Sequence, residues 1–207
     1  MPDQFNYTGY FYTVEGYRLR SYLNIRKQPG WLGRSLLRVK SRIGIDCPDL
    51  MVVLMNPGAS APLEGGDDGR AECAAKPDLT QKQIARVMSH CGFSYARILN
   101  LSDLRYPESA DFLSELKPLD SKGIAHSIFD PARAEEFAEL FVQSVPVILG
   151  WGVDERLRPL ARRALEKIKS PVKVGQKKGG NDWAYYHPRQ RGKDPQIWID
   201  EILQQLN

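Results

Sequence analysis

The chain reads as an α/β protein: a three-layer α/β/α sandwich around a central, mostly parallel sheet of about four strands, with a β-hairpin added at its N-terminus. Three observations predict this. Short apolar runs of buried-strand type alternate with amphipathic stretches at helical spacing, the pattern of parallel strands joined by crossover helices. The helical stretches open on capping residues and stop at glycine or at a break in pattern. Four strand ends carry unusual punctuation: Asn56-Pro57-Gly58, Asn100, Gly150-Trp151-Gly152 and His187-Pro188. Carboxyl ends of strands are where such sheets collect ligands.

The elements follow in order. "YFYTV", the pair Glu15-Gly16 and "YRLRSYLNI" form a hairpin, with Tyr17, Leu19, Leu23 and Ile25 on one face and Arg18 and Arg20 on the other. "QPGWLG" breaks the alternation. Residues 1–45 are therefore a hairpin and a basic segment packed on a main α/β domain of residues 46–207. Residues 50–55 are a buried strand. In "LTQKQIARVMSHCG", Ile84, Val87, Met88 and Cys91 share a helix face, with Thr80 as N-cap and Gly92 as the stop. Residues 96–101 are the next strand. Asp130 caps a helix with Pro131 at its first position, burying Phe137, Leu140 and Phe141. "VPVILGWG" is a third strand. A long amphipathic helix then carries Leu157, Leu160, Ala161, Ala164, Leu165 and Ile168. A fourth strand lies in "PVKVG" or in "WAYYH", and the last helix presents Ile199, Ile202, Leu203 and Leu206. There is no internal repeat and no low-complexity tract.

With 207 residues the chain can bury a substantial core. It has no apolar run of membrane length and no basic–apolar–small leader, so a soluble, cytoplasmic protein without a membrane partner is expected. Cys47, Cys73 and Cys91 are odd in number and lack CxxC spacing, as reduced thiols would. The net charge of +4 is unevenly spread. Residues 156–193 hold twelve Lys or Arg against Glu166 and Asp182, and residues 24–45 hold six and no acid. Together they suggest a polyanionic partner; each alone is equally compatible with solvated helix faces.

Each candidate site residue has a plain alternative. Asn56, Pro57 and Gly58 are ordinary turn residues, or they let backbone N–H groups approach a ligand while Asn56 positions a water. Asn100 falls where its strand ends, and a buried amide must be satisfied by a neighbouring loop or a ligand. Trp151, between two glycines, is core or a flat wall for a planar ligand. His187 precedes Pro188, which biases it towards extended backbone. His90 sits at a helix end and His126 has no evident partner. No His, Cys or carboxylate residues have metal-ligand spacing, so no metal and no cofactor are expected. The common nucleotide cradles and the GxSxG elbow are absent.

The succession "NPG", "KPDLT" opening a helix, "CGFSYARILNL", "VILGWG" and "HP" resembles a bacterial domain-of-unknown-function family, the one numbered sixteen forty-three. Its members read Asn-Pro-Ser-Thr-Ala-Asp where this chain has Asn56-Pro57-Gly58-Ala59-Ser60. The same order is similar to the uracil-DNA glycosylase superfamily, particularly its mismatch-specific branch. That resemblance implies that Asn56 orients the attacking water, Asn100 reads the extruded base and His187 stabilises the departing base anion. Pro57, Gly58, Trp151 and Pro188 would then complete the substrate pocket. Arg189 stands where the superfamily has a small residue after His-Pro, so the pocket rim differs.

The activity implied is that of a monomeric, cofactor-independent DNA glycosylase, taking a modified, damaged or mismatched base from duplex or single-stranded DNA. Base-excision repair or defence against phage with modified DNA would be its setting. Arg189, Arg191 and Lys193 would grip phosphates. The rivals are a non-catalytic nucleic-acid-binding module of the same fold and an enzyme acting on free nucleosides or nucleotides.

Overall fold

β1 (Phe5–Val14) and β2 (Tyr17–Lys27) form the predicted hairpin, turning at Glu15 and Gly16, whose φ angles are 48° and 83°. Two successive positive φ values match the twist of the flanking strands. A computed structural model describes residues 4–28, 47–65 and 68–206. The hairpin is not an appendage. β2 pairs antiparallel with β6 (Tyr95–Asn100), setting Leu23 opposite Ile98 and Arg26 opposite Tyr95. One mixed sheet of eight strands results, in the order β4-β5-β1-β2-β6-β3-β7-β8. The expected sheet of about four strands is only its parallel block: β6, β3 (Leu50–Leu54), β7 (Val147–Gly150) and β8 (Lys173–Val174). β4 (Ala61–Pro62) and β5 (Cys73–Lys76) extend the far edge beyond the hairpin.

The hairpin register contains the fold's most consequential irregularity. Tyr10 lies opposite Tyr22 and Phe11 opposite Arg20, so Ser21 is an extra residue on β2. Such a bulge reverses which face the following side chains take. Leu23 and Ile25 pack with Phe11 on one side of the sheet, whereas Tyr17 and Tyr22 pack on the other. The expected single face of Tyr17, Leu19, Leu23 and Ile25 is thus split at Ser21. Arg20, paired with Phe11, is turned inward and is only 1% exposed.

Helices cover both faces. α1 (Leu79–Cys91) and α5 (Pro195–Leu206) bury Ile84, Val87, Met88, Trp198, Ile199 and Ile202 on one side. α2 (Ser109–Ser121), α3 (Ala134–Leu140) and α4 (Arg158–Lys167) bury Phe112, Leu116, Leu119, Phe137, Leu160 and Ala164 on the other. Each large apolar side chain so buried contributes about 1.5–3 kcal/mol. The cap of α1 is Asp78 rather than Thr80: its carboxylate accepts from Gln81 N–H while the Gln81 side chain accepts from Asp78 N–H. Gly92 ends the helix at φ 76°, as expected. A 3₁₀ turn, Pro131–Arg133, capped by Asp130, leads into α3. The fourth parallel strand lies in "PVKVG", and "WAYYH" supplies only a bridge from Tyr185 to Gly152 and Lys177.

The chain leaves β3 through α1 to reach β6 on one side, and leaves β7 through α4 to reach β8 on the other. Because α1 and α4 cover opposite faces, a crevice must open beyond the carboxyl ends of β3 and β7. No helix among the described residues is long and apolar enough to cross a membrane.

Candidate functional site: a cleft at the switch point

A cleft of about 530 Å³ occupies that crevice, within the range of small-ligand sites. One wall is the corner after β3, residues 54–59, and the facing wall is the corner after β7, residues 151–154. The first turns of α1 and α2 close two further sides, His187, Arg189 and Arg191 form a rim, and Arg20 reaches in from β2.

At the first corner, Gly58 has φ 61°, a conformation that a side chain strains, so here the turn requires glycine. Asn56 Nδ2 donates to the carbonyls of Tyr106 (2.8 Å) and Leu104 (3.3 Å), tying the corner to the loop after β6. That bonding orients the amide and leaves Oδ1 without a donor among the described residues. Asp78 adds a carboxylate: Oδ1 caps α1, and Oδ2 lies beside Gly58, 3.6 Å from where a Cβ there would sit.

At the second corner, buried Trp151 donates its indole N–H to Trp183 O at 2.9 Å and meets Tyr185 edge-on at 5.3 Å. It is both core and cleft wall. Asp154 lines the cleft but holds Arg156 through both carboxylate oxygens, at 2.8 and 2.9 Å. His187 Nδ1 faces both the Arg189 backbone N–H (3.1 Å) and the Arg189 carbonyl (3.4 Å); the shorter contact has Nδ1 accepting, the tautomer that carries its proton on Nε2. Burial lowers its pKa below the ordinary value, so the ring is neutral at neutral pH and Nε2–H is a donor.

The sequence-derived candidates divide. Asn56, Pro57, Gly58, Trp151, His187, Arg189 and Arg191 line the cleft. Asn100, Pro188 and Lys193 do not. Asn100 is fully buried behind the corner, and the amide orientation that suits its neighbours has it donating to Asn56 O and accepting from Arg20 Nη2, each at 3.2 Å. Pro188 packs on Gly150, and its carbonyl accepts from Gln83 Nε2 at 2.9 Å. Lys193 covers the Tyr186 ring.

Among the described residues, the first basic segment does not reach the cleft. Arg26 stands opposite Tyr95, at the end of β6 away from the cleft. Arg34, Arg38, Lys40 and Arg42 lie outside the described residues. Arg156, Arg158, Arg162 and Arg163 each pair with a nearby acid, Asp154, Glu155, Asp182 and Asp130.

Arg20 and Asp78 belong to the site and were not foreseen. Asp78 carried a readable signal, the capping-box spacing Asp78-x-x-Gln81. Arg20 carried none, because a bulge is not written in the alternation. No family model, curated protein or solved structure matches this chain.

Proposed function

We propose that this chain is a cofactor-independent DNA glycosylase that hydrolyses the N-glycosidic bond of a modified, damaged or mismatched base. One observation carries the proposal: an oriented Asn56 carbonyl oxygen, the Asp78 carboxylate and a neutral His187 N–H share one cleft at the switch point. The motif order shared with the uracil-DNA glycosylase superfamily supports the same chemistry. Asn56 Oδ1 accepts one hydrogen of the attacking water, and Asp78 takes the proton as oxygen bonds to C1′. The C1′–N bond breaks through an oxocarbenium-like state, and its electron pair leaves on the base. His187 Nε2–H donates to that developing anion. Groups fixed before reaction stabilise such charge with little reorganisation. Arg189 and Arg191 would hold the backbone around an extruded nucleotide.

A second class, an enzyme on free nucleosides or nucleotides, gains from the narrowness of the basic rim among the described residues, where Arg189 and Arg191 are its cations. Mass spectrometry of bases released from DNA with diverse modifications, run beside the matching free nucleosides, separates the two. A glycosylase releases bases from DNA, with DNA binding that weakens steeply with salt. Asn56→Ala should cut that release by about two to three orders of magnitude. Release undiminished in Asn56→Ala, or strand nicking without alkali, would overturn the mechanism.

A further inference from the structure

We propose that the floor of the cleft is a binding site for an anionic group of phosphate or carboxylate type, with the Arg20 guanidinium as its central donor. This goes beyond the hydrolase proposal, since it concerns a ligand's charge and not the bond that is cleaved.

Arg20 is fully enclosed, yet its Nε and Nη1 have no hydrogen-bond partner. Three N–H bonds therefore lack an acceptor, and Nη2 meets only the neutral Asn100 oxygen. Burial draws its pKa down to about 10, against the opposing pull of Asp78 and Asp103, so the group is still a full cation at neutral pH. No carboxylate among the described residues forms an ion pair with it. Asp103 Oδ2 is held by Arg133 (2.6 Å) and Tyr12 (2.9 Å), and its Oδ1, also without a donor, does not meet Arg20. Buried charges are normally paired, and the missing partner of a guanidinium is an anion.

The surroundings select for the same sign. α1 and α2 are each 13 residues long and turn their N-termini, the positive ends of their dipoles, towards the cleft. Glu108, at the N-cap of α2, makes no side-chain cap. Arg189 and Arg191 stand at the rim. Of the three acids there, Asp154 is paired with Arg156, Asp78 commits Oδ1 to the α1 cap and keeps Oδ2 free among the described residues, and Glu108 stands at the start of α2.

Thermal unfolding at fixed ionic strength tests this, with inorganic phosphate, thymidine 5′-monophosphate and thymidine as probes. Millimolar phosphate should raise the wild-type Tm by about 2–4 °C, and thymidine should not. A larger rise with the monophosphate identifies a nucleotide phosphate as the source; equal rises identify a free oxyanion. Arg20→Met should keep or raise the unliganded Tm, because an unpaired buried charge is removed, and should abolish the response. Arg20→Lys should retain part of it. A lower Tm or failure to fold in Arg20→Met would show that Arg20 is structural and overturn the proposal. So would an unresponsive wild type, or thymidine matching its monophosphate. None of these readouts involves base release, so hydrolysis and anion binding can fail separately.

Discussion

Arg20 and Arg133 are two enclosed arginines near the same end of the sheet, and they differ in nearly every contact. Arg133 donates to Asp103 (2.6 Å), to both oxygens of Glu136 (2.7 and 2.8 Å), to Ala125 O and to Ser21 Oγ. Burial pulls its pKa down, but Asp103 and Glu136 outweigh that and hold it above the ordinary value. Arg20 has one neutral partner, Asn100, and burial leaves it below. Saturation marks a structural cation. A cation left short of acceptors beside a cleft marks one whose partner arrives from outside.

The largest expected effect is on the saturated side. Arg133→Met strands Asp103, whose own burial already pushes its pKa up to about 6, and should cost about 3–5 kcal/mol in urea unfolding. The contrast breaks if Arg20→Met costs as much. Next is Asn100→Ala, which removes the one acceptor of Arg20 and the donor to Asn56 O; a loss of about 1–3 kcal/mol is expected, with weaker phosphate binding. If phosphate binding is unaffected, Asn100 does not position the guanidinium. Gly58→Ala should cost about 1–2 kcal/mol through backbone strain alone, since a Cβ there meets nothing closer than Asp78 Oδ2. Restored stability in Gly58→Asn, which tolerates positive φ, would identify strain as the cause.

The smallest effect concerns pH. Burial lowers the pKa of both His126, on the Arg133 side, and His187, on the cleft side. Each folded pKa lies below the unfolded value of about 6.5, so the unfolded chain binds protons first as pH falls. Stability is therefore full above about 6.5 and declines as pH drops towards the folded values. His126→Gln and His187→Gln should each flatten that decline in denaturation series between pH 7 and 5. Only His187→Gln should also alter the pH profile of base release.

Local chemistry was legible where one residue type has one use. The apolar runs became β3, β6 and β7, Gly92 stopped α1 in the left-handed conformation, and Asp130 capped the turn before α3. The Asn56-Pro57-Gly58 corner and His187 were singled out by their places at strand ends, and both line the cleft. What was not legible depends on pairing. Alternation in β2 shows two faces but not which edge finds another strand, so the sheet came out twice as wide. A single extra residue at Ser21 reversed the faces and hid Arg20. α2 was masked by Pro118, which sits inside the helix, and β4 and β5 are too short to show periodicity. Asn100 was recognised as a strand-end amide, but nothing in its neighbours told that it would look towards Arg20 rather than outwards.

Because the hairpin continues the sheet, the parts of the cleft emerge far apart in time during synthesis. Arg20 is made before β3 and α1, and His187 follows it by more than 160 residues. Growing chains emerge at about 5–20 residues per second, so β2 waits roughly 10–30 seconds for the segment that completes the rim. During that interval β2 can acquire its partner β6, a contact spanning about seventy residues, while the site is still open. Long-range pairings of this kind slow folding. A ribosome-bound chain stalled before residue 187 would hold a nearly complete sheet and no finished cleft.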